Sequence, residues 1–309
     1  MALSELPFQS RFFSASDGLK LHVRDYGSTL DPGLPVVCLP GLTRSAADFG
    51  PLASALAAGL AGAKRRVLAL DYRGRGRSDY DRDWKNYSLL VENDDILTVL
   101  TAAGIERAVF VGTSRGGLHA MLLSATRPTA IAAVVLNDIG PVVEPRGMAR
   151  IRSYVGKLPP PRSLADAVEL LKRSMSEQFN SLSEADWSAY AKISYADEKG
   201  RFGPRYDPKL KKQLENLDLE QALPSFWPQF EGLRNVALLA IRAANSDLLS
   251  PQTLAEMAMR HPLCETYVVA GQGHPALLLD PESIGRVSAF IAKADARATQ
   301  PAAADAAAL

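Results

Sequence analysis

The chain has 309 residues, a formal net charge of +1, 47% hydrophobic and 22% charged residues, four histidines and two cysteines. So even a charge balance gives no electrostatic basis for binding nucleic acid or an anionic membrane, and the profile is that of a globular chain long enough for one large core. No apolar stretch is long enough to span a bilayer, Met1–Pro7 lacks the basic and apolar regions of a secretory signal, and no Cys/His cluster has zinc spacing.

Strands and helices alternate along the chain, which predicts an α/β fold with a mostly parallel sheet of eight strands flanked by helices. Arg11–Ser16 and Lys20–Asp25 read as an antiparallel pair turned at Asp17-Gly18, with His22 on the solvent face. The apolar run at 35–39 is a third strand, closed by Pro40-Gly41-Leu42, and Asp48–Leu60 follows as an amphipathic helix. A strand at 66–71 runs into Arg73-Gly74-Arg75-Gly76-Arg77. That stretch is too short for an RNA-binding segment and lacks the third glycine of a dinucleotide fingerprint, so it reads as a glycine-rich turn. After a helix over Asn93–Ala103, a strand at 107–112 meets Ser114 and a helix over Leu118–Thr126. The strand at 132–137 ends at Asp138. No strand is evident from Pro141 to Ala222, where helices are predicted over Ser163–Phe179 and Ser183–Tyr195, with Ser163 as an N-cap. Strands at 235–241 and 264–269 precede Asp247 and His274, and an alanine-rich tail closes the chain.

Gly112-Thr113-Ser114-Arg115-Gly116 is the most informative set. A serine on a tight strand-to-helix turn is held with Oγ exposed above the sheet, and the turn demands small residues two before and two after it. Ser114 is therefore the expected nucleophile. Such a hydroxyl needs a base, itself oriented by a third group. His274 follows a strand near the end of the folded part and is the expected base; His22, His119 and His261 read as strand, packing and loop residues. The order serine, acid, histidine places the acid between them. Asp247 is the expected partner of the imidazole, and Asp138, also at a strand end, is the alternative. Backbone N–H groups of Leu42 and Arg115 are the expected oxyanion donors, with Gly41 turning the first loop inward.

On these motifs, together with Leu39-Pro40-Gly41-Leu42, Asp71–Ser78, Ser246-Asp247 and Gly273-His274, the chain resembles the α/β-hydrolase superfamily, of the small serine esterase and lactonase type. The likeness runs from about Phe12 to Ala292. It departs in Pro40-Gly41, where His-Gly is commoner, and in the arginine at 115. The resemblance implies a core of residues 1–140 and 223–294 and a helical cap of residues 141–222 inserted after the sixth strand, while the alanine-rich composition after Ala292 predicts a disordered tail over 295–309. Met148, Ile151, Tyr154, Trp187 and Tyr190 of the cap are candidates to line the pocket. It also implies hydrolysis of carboxylic esters or lactones through an acyl-enzyme, aliphatic polyesters included. Carbon–carbon bond hydrolysis of ring-cleavage products and a non-catalytic receptor for small molecules are the alternatives. Arg115 either pairs with a nearby carboxylate such as Asp138 or reaches the pocket to select acidic substrates. No metal or cofactor is implied, the expected partner is a small ester, and two unpaired cysteines, Cys38 and Cys264, fit a cytoplasmic location.

Overall fold

In the computed structural model, which describes residues 6–198, 201–219, 221 and 223–299, ten strands and ten α-helices form. The strands are β1 (Gln9–Ser14), β2 (Lys20–Tyr26), β3 (Val36–Leu39), β4 (Val67–Leu70), β5 (Ala108–Thr113), β6 (Ile131–Asn137), β7 (Tyr195–Glu198), β8 (Arg201–Pro204), β9 (Ala237–Ala243) and β10 (Cys264–Val269). The helices are α1 (Gly50–Ala57), α2 (Leu89–Ala102), α3 (Arg115–Thr126), α4 (Pro145–Tyr154), α5 (Leu164–Met175), α6 (Glu184–Ser194), α7 (Lys211–Glu215), α8 (Trp227–Glu231), α9 (Pro251–Arg260) and α10 (Pro281–Thr299).

Eight strands make one sheet in the order β1-β2-β4-β3-β5-β6-β9-β10. β1–β2 and β2–β4 are antiparallel and the remaining pairs are parallel. Both faces are covered, so the central strands are apolar throughout, as parallel strands under helices must be. Successive residues still alternate between two cores. Val37, Leu39 and Phe110 pack into one cluster, whereas Val36, Cys38, Val109 and Val111 pack into another with α1 and α10. Because parallel crossovers return each strand in the same direction, the C-terminal ends of β3, β5, β6 and β9 gather at one edge, where sites form in such sheets.

The insertion between β6 and β9 has its own small core around Phe179, Trp187 and Tyr190. Ser163 caps α5 by accepting from Asp166 N, and Ser183 with Asp186 forms a reciprocal capping box on α6. This segment also holds the antiparallel pair β7–β8, where the sequence predicts no strand. Four residues per strand are too few to register as alternation, and the stacked rings of Tyr195 and Phe202, 6.2 Å apart, tie the pair across its face.

Two further expectations are corrected. His22 does not face solvent: it is buried, with Nδ1 2.7 Å from Asp71 Oδ2 and Nε2 3.0 Å from Ser10 Oγ. Here β1 lies alongside β2, and the loop after β4 closes over it. The expected tail from residue 295 is helical as far as Thr299, because Asp295 takes two guanidinium donors from buried Arg65 and the Leu34 N–H. Residues 300–309 of that expected tail lie outside the described residues. Among the described residues no helix is long and apolar enough to cross a membrane.

Candidate active site

Ser114 sits between β5 and α3 at φ 51° and ψ −115°, a left-handed conformation that a serine adopts only when its surroundings impose it. Three glycines permit the turn. A Cβ on Gly112 would lie 2.5 Å from the Gly116 carbonyl, one on Gly116 would lie 1.9 Å from Leu39 O, and one on Gly117 would lie 2.2 Å from Ile139. The strained residue is secured by its own N–H, which donates to Asn137 O at 2.9 Å.

Ser114 Oγ lies 2.8 Å from His274 Nε2. On the far side of the imidazole, Nδ1 lies 2.9 Å from Asp138 Oδ2. Asp138 is fully buried, and its other oxygen accepts from Ala243 N at 2.9 Å. The expected pairing of His274 with Asp247 is therefore not the one found. Asp247 is turned toward the insertion, where Arg150 of α4 grips both of its oxygens, at 2.7 and 2.9 Å. Burial raises the Asp247 pKa, but the hydrogen bonds and charge of Arg150 more than offset it and hold the carboxyl below its usual range. The physical reason for the exchange is simple. A bidentate guanidinium satisfies Asp247 locally, while Asp138, buried and without a cation partner, is left to the imidazole.

Gly41 brings the β3 loop against the nucleophile: a Cβ there would lie 3.7 Å from Ser114 Cβ. Arg115 opens α3, so its N–H is one of the first-turn donors a helix cannot satisfy internally. Its side chain turns away from the pocket, as one of the two readings held, but its partner is Glu92 rather than Asp138. Arg115 Nε donates to Glu92 Oε2 at 2.6 Å and Nη2 to Tyr87 O at 2.7 Å. Glu92 is completely buried. Its other oxygen accepts from Arg75 Nη1 at 2.6 Å, and Arg75 Nε donates to Leu42 O at 2.8 Å. Burial alone would raise the Glu92 pKa, but Arg115 and Arg75 outweigh it and hold the carboxyl well below its ordinary value. His119 lies 3.2 Å from the same carboxylate, and burial lowers its pKa. One buried carboxylate thus braces both loops that flank Ser114 Oγ. From the sequence Arg75 reads as part of a glycine-rich turn, and Glu92 lies in no motif that marks it.

Ser114 and His274 open into a cavity of about 100 Å³, whose walls include Gly41, Leu42, Ile151, Tyr154 and Tyr190. Met148 and Trp187 are not among its walls. Met148 packs on the main core and Trp187 lies in the core of the insertion, so both are packing residues. Arg44, also unforeseen, borders the cavity with Nε and Nη2 on Asp48, Nη1 on Ser194 Oγ at 2.6 Å, and its guanidinium over the Tyr190 ring. Burial pushes Tyr154 and Tyr195 up to about 12, and raises Tyr190 and Tyr206, so all four phenols around the cavity keep their protons at neutral pH.

Residues 36–286 match the model of the alpha/beta hydrolase family. The chain belongs to that family. It is 30% identical over 281 residues to the 3-hydroxybutyrate-oligomer hydrolase of Cupriavidus necator, covering 87% of this chain and 93% of that protein. Esterase YbfF of Escherichia coli is 26% identical, over 82% of this chain and 90% of its own length. Among solved structures, an alpha/beta hydrolase from Novosphingobium aromaticivorans superposes with a TM-score of 0.84 at 39% identity, covering 92% and 98% of the two chains. Membership makes the protein a hydrolase by family.

Proposed function

We propose that the protein is a serine hydrolase of short-chain carboxylic esters, with Ser114, His274 and Asp138 as its catalytic residues. The observation that carries this reading is the continuous line of hydrogen bonds from Ser114 Oγ through His274 to Asp138, at 2.8 and 2.9 Å, on a strained elbow that opens into a small cavity. Asp138 accepts a hydrogen bond from Nδ1–H and so holds the tautomer that leaves Nε2 free as the base. His274 takes the Ser114 proton as Oγ bonds to the ester carbonyl carbon, and the carbonyl oxygen becomes an oxyanion facing the N–H groups of Leu42 and Arg115. The C–O bond to the alcohol then breaks as His274 returns the proton to the leaving oxygen. Water repeats the sequence on the acyl-enzyme and frees the acid. A serine at the elbow supports ester over epoxide cleavage, which relies on a carboxylate nucleophile in this fold.

Cavity size favours a short acyl group, since pockets for drug-sized ligands run to roughly 300–1,000 Å³ and this one holds about 100 Å³. The likeness to an oligomer hydrolase of 3-hydroxybutyrate supports hydroxy-acid esters within that class. The inserted helices act as a cap that roofs the site and limits water.

The test is labelling by a fluorophosphonate together with turnover of p-nitrophenyl butyrate, in wild type and in Ser114→Ala. Prompt labelling and many turnovers, both lost in the variant, are expected; loss of triad members costs several powers of ten. A variant that kept more than about a tenth of wild-type kcat/KM would rule out Ser114 as nucleophile, given that scale. Binding without turnover in wild type would instead make the protein a receptor.

A further inference from the structure

Beside the inner cavity lies a much larger groove of about 1170 Å³. One wall is the core loop from Gly76 to Tyr80, and the other comes from the insertion, at residues 156–160 and along β8 to Tyr206. Leu158, Pro160, Pro204 and Tyr206 border both the groove and the inner cavity, so the two spaces lie side by side with these four residues as their common wall. The walls are preformed. Gly76 N donates to Arg205 O and Asp207 N to Gly74 O, both at 2.8 Å, and Gly156 N donates to Tyr206 Oη at 3.2 Å.

We propose that this groove holds the distal units of a linear oligoester of a short hydroxy acid, whose scissile ester lies at Ser114. The inference rests on the ester-hydrolase reading and specifies its substrate. An inner cavity of about 100 Å³ leaves little room beyond a short acyl unit, so the rest of a longer chain needs a second space contiguous with it. Prolines and glycines make up much of the groove lining. That suits a chain of ester groups, which accept hydrogen bonds but donate none and present methyl and methylene surface between them.

The free carboxylate at the end of such a chain meets Arg77. This side chain is exposed, donates through Nη1 to Ser10 Oγ at 2.7 Å and lies over the Phe12 ring, with no carboxylate partner among the described residues. Its remaining donors can take a carboxylate at two points. Asp79, on the same wall, has one oxygen occupied by the Lys20 N–H.

Gly203 provides the means of testing this. It lines the groove and not the inner cavity, and a Cβ built on it meets nothing within 4 Å, so a large side chain there fills the groove from open space. Rates on a hydroxybutyrate trimer are measured against p-nitrophenyl butyrate, which serves as the internal reference for each variant. Gly203→Trp is expected to lower the trimer-to-reference ratio of kcat/KM about tenfold, equivalent to about 1.4 kcal/mol of transition-state binding. Gly203→Leu, a smaller plug, replaces it if circular dichroism shows the tryptophan variant unfolded. Arg77→Met is expected to lower the preference for the free-acid trimer over its methyl-capped form about threefold, the scale of an exposed ion pair. A trimer-to-reference ratio unchanged in a folded Gly203 variant overturns the proposal. So does a wild-type enzyme that cleaves p-nitrophenyl butyrate but not the trimer. Failure on both substrates falls on the ester-hydrolase reading itself.

Discussion

Two carboxylates stand close to one histidine, and replacing each by asparagine separates their roles. Asp138 accepts from Ala243 N through one oxygen and meets His274 Nδ1 with the other. In Asp138→Asn the amide oxygen stays with the Ala243 N–H, because an NH₂ group cannot accept there. Its NH₂ then points at Nδ1 and donates to it. The imidazole proton is forced onto Nε2, where it faces Ser114 Oγ and removes the base. Holding that wrong tautomer costs about 10⁴ in kcat, or about 5 kcal/mol of transition-state stabilisation. Asp247→Asn removes a partly buried ion pair with Arg150 and leaves the His274 bond intact. Its expected cost is about 1–3 kcal/mol in stability, between the exposed and buried extremes for ion pairs, with less than about a tenfold loss of kcat on p-nitrophenyl butyrate, about 1.4 kcal/mol. Steady-state kinetics at saturating ester, paired with thermal melts, reads both quantities. An Asp247→Asn loss equal to or larger than that of Asp138→Asn would refute the reasoning and show that Arg150 surrenders Asp247 to His274 during turnover.

Arg115→Met should lower the melting temperature without changing the ratio of rates on neutral and carboxylate-bearing esters, because the guanidinium is committed to Glu92 and the Tyr87 carbonyl; a selective loss on the acidic ester would put that side chain in the pocket after all. Acid should destabilise the fold through Glu92, whose folded pKa lies below its ordinary 4.5, so the unfolded chain binds the proton more readily. Stability from this group is complete above about pH 4.5 and is lost as pH falls toward the folded value. Glu92→Gln should therefore be less stable at pH 7 and flatter below pH 4.5, and melting curves that run parallel to wild type down to about pH 3 would contradict the linkage.

How much was legible in the chain follows from which signals are local. The closeness of Ser114 and His274 is readable because each lies in a short motif at a strand end, and strand ends are marked by apolar runs closed with glycine or proline. Either acid position satisfied the same rule. Choosing between Asp138 and Asp247 required knowing that Arg150, on α4 about a hundred residues away, captures Asp247, and no spacing rule carries such a contact. The burial of His22 is hidden from the sequence for a related reason. Alternation marks which face of a strand a residue occupies, but only the fold shows that β1 and the loop after β4 cover that face. Two helices of the insertion, α5 and α6, are visible through their capping serines, whereas α4 and α7 lack such a cap and the four-residue strands β7 and β8 have no periodic signature.

The arginine beside the nucleophile, unusual from the sequence alone, has a structural account in Glu92. The two loops that flank Ser114 Oγ belong to separate crossovers, one leaving β3 and the other entering α3, and no backbone bond runs directly between Leu42 and Arg115 among the described residues. Glu92 supplies the link from a third element, α2, through Arg75 to the Leu42 carbonyl and directly to the Arg115 side chain. A desolvated carboxylate is tolerable only when its charge is answered and its oxygens are filled, and two guanidinium groups with His119 meet that requirement. Taking away any one of them would strand the others in a medium with little water to screen them. The same network that makes this burial permissible therefore fixes the spacing of the two loops, and in the proposed mechanism oxyanion stabilisation depends on donors held in place before the charge appears.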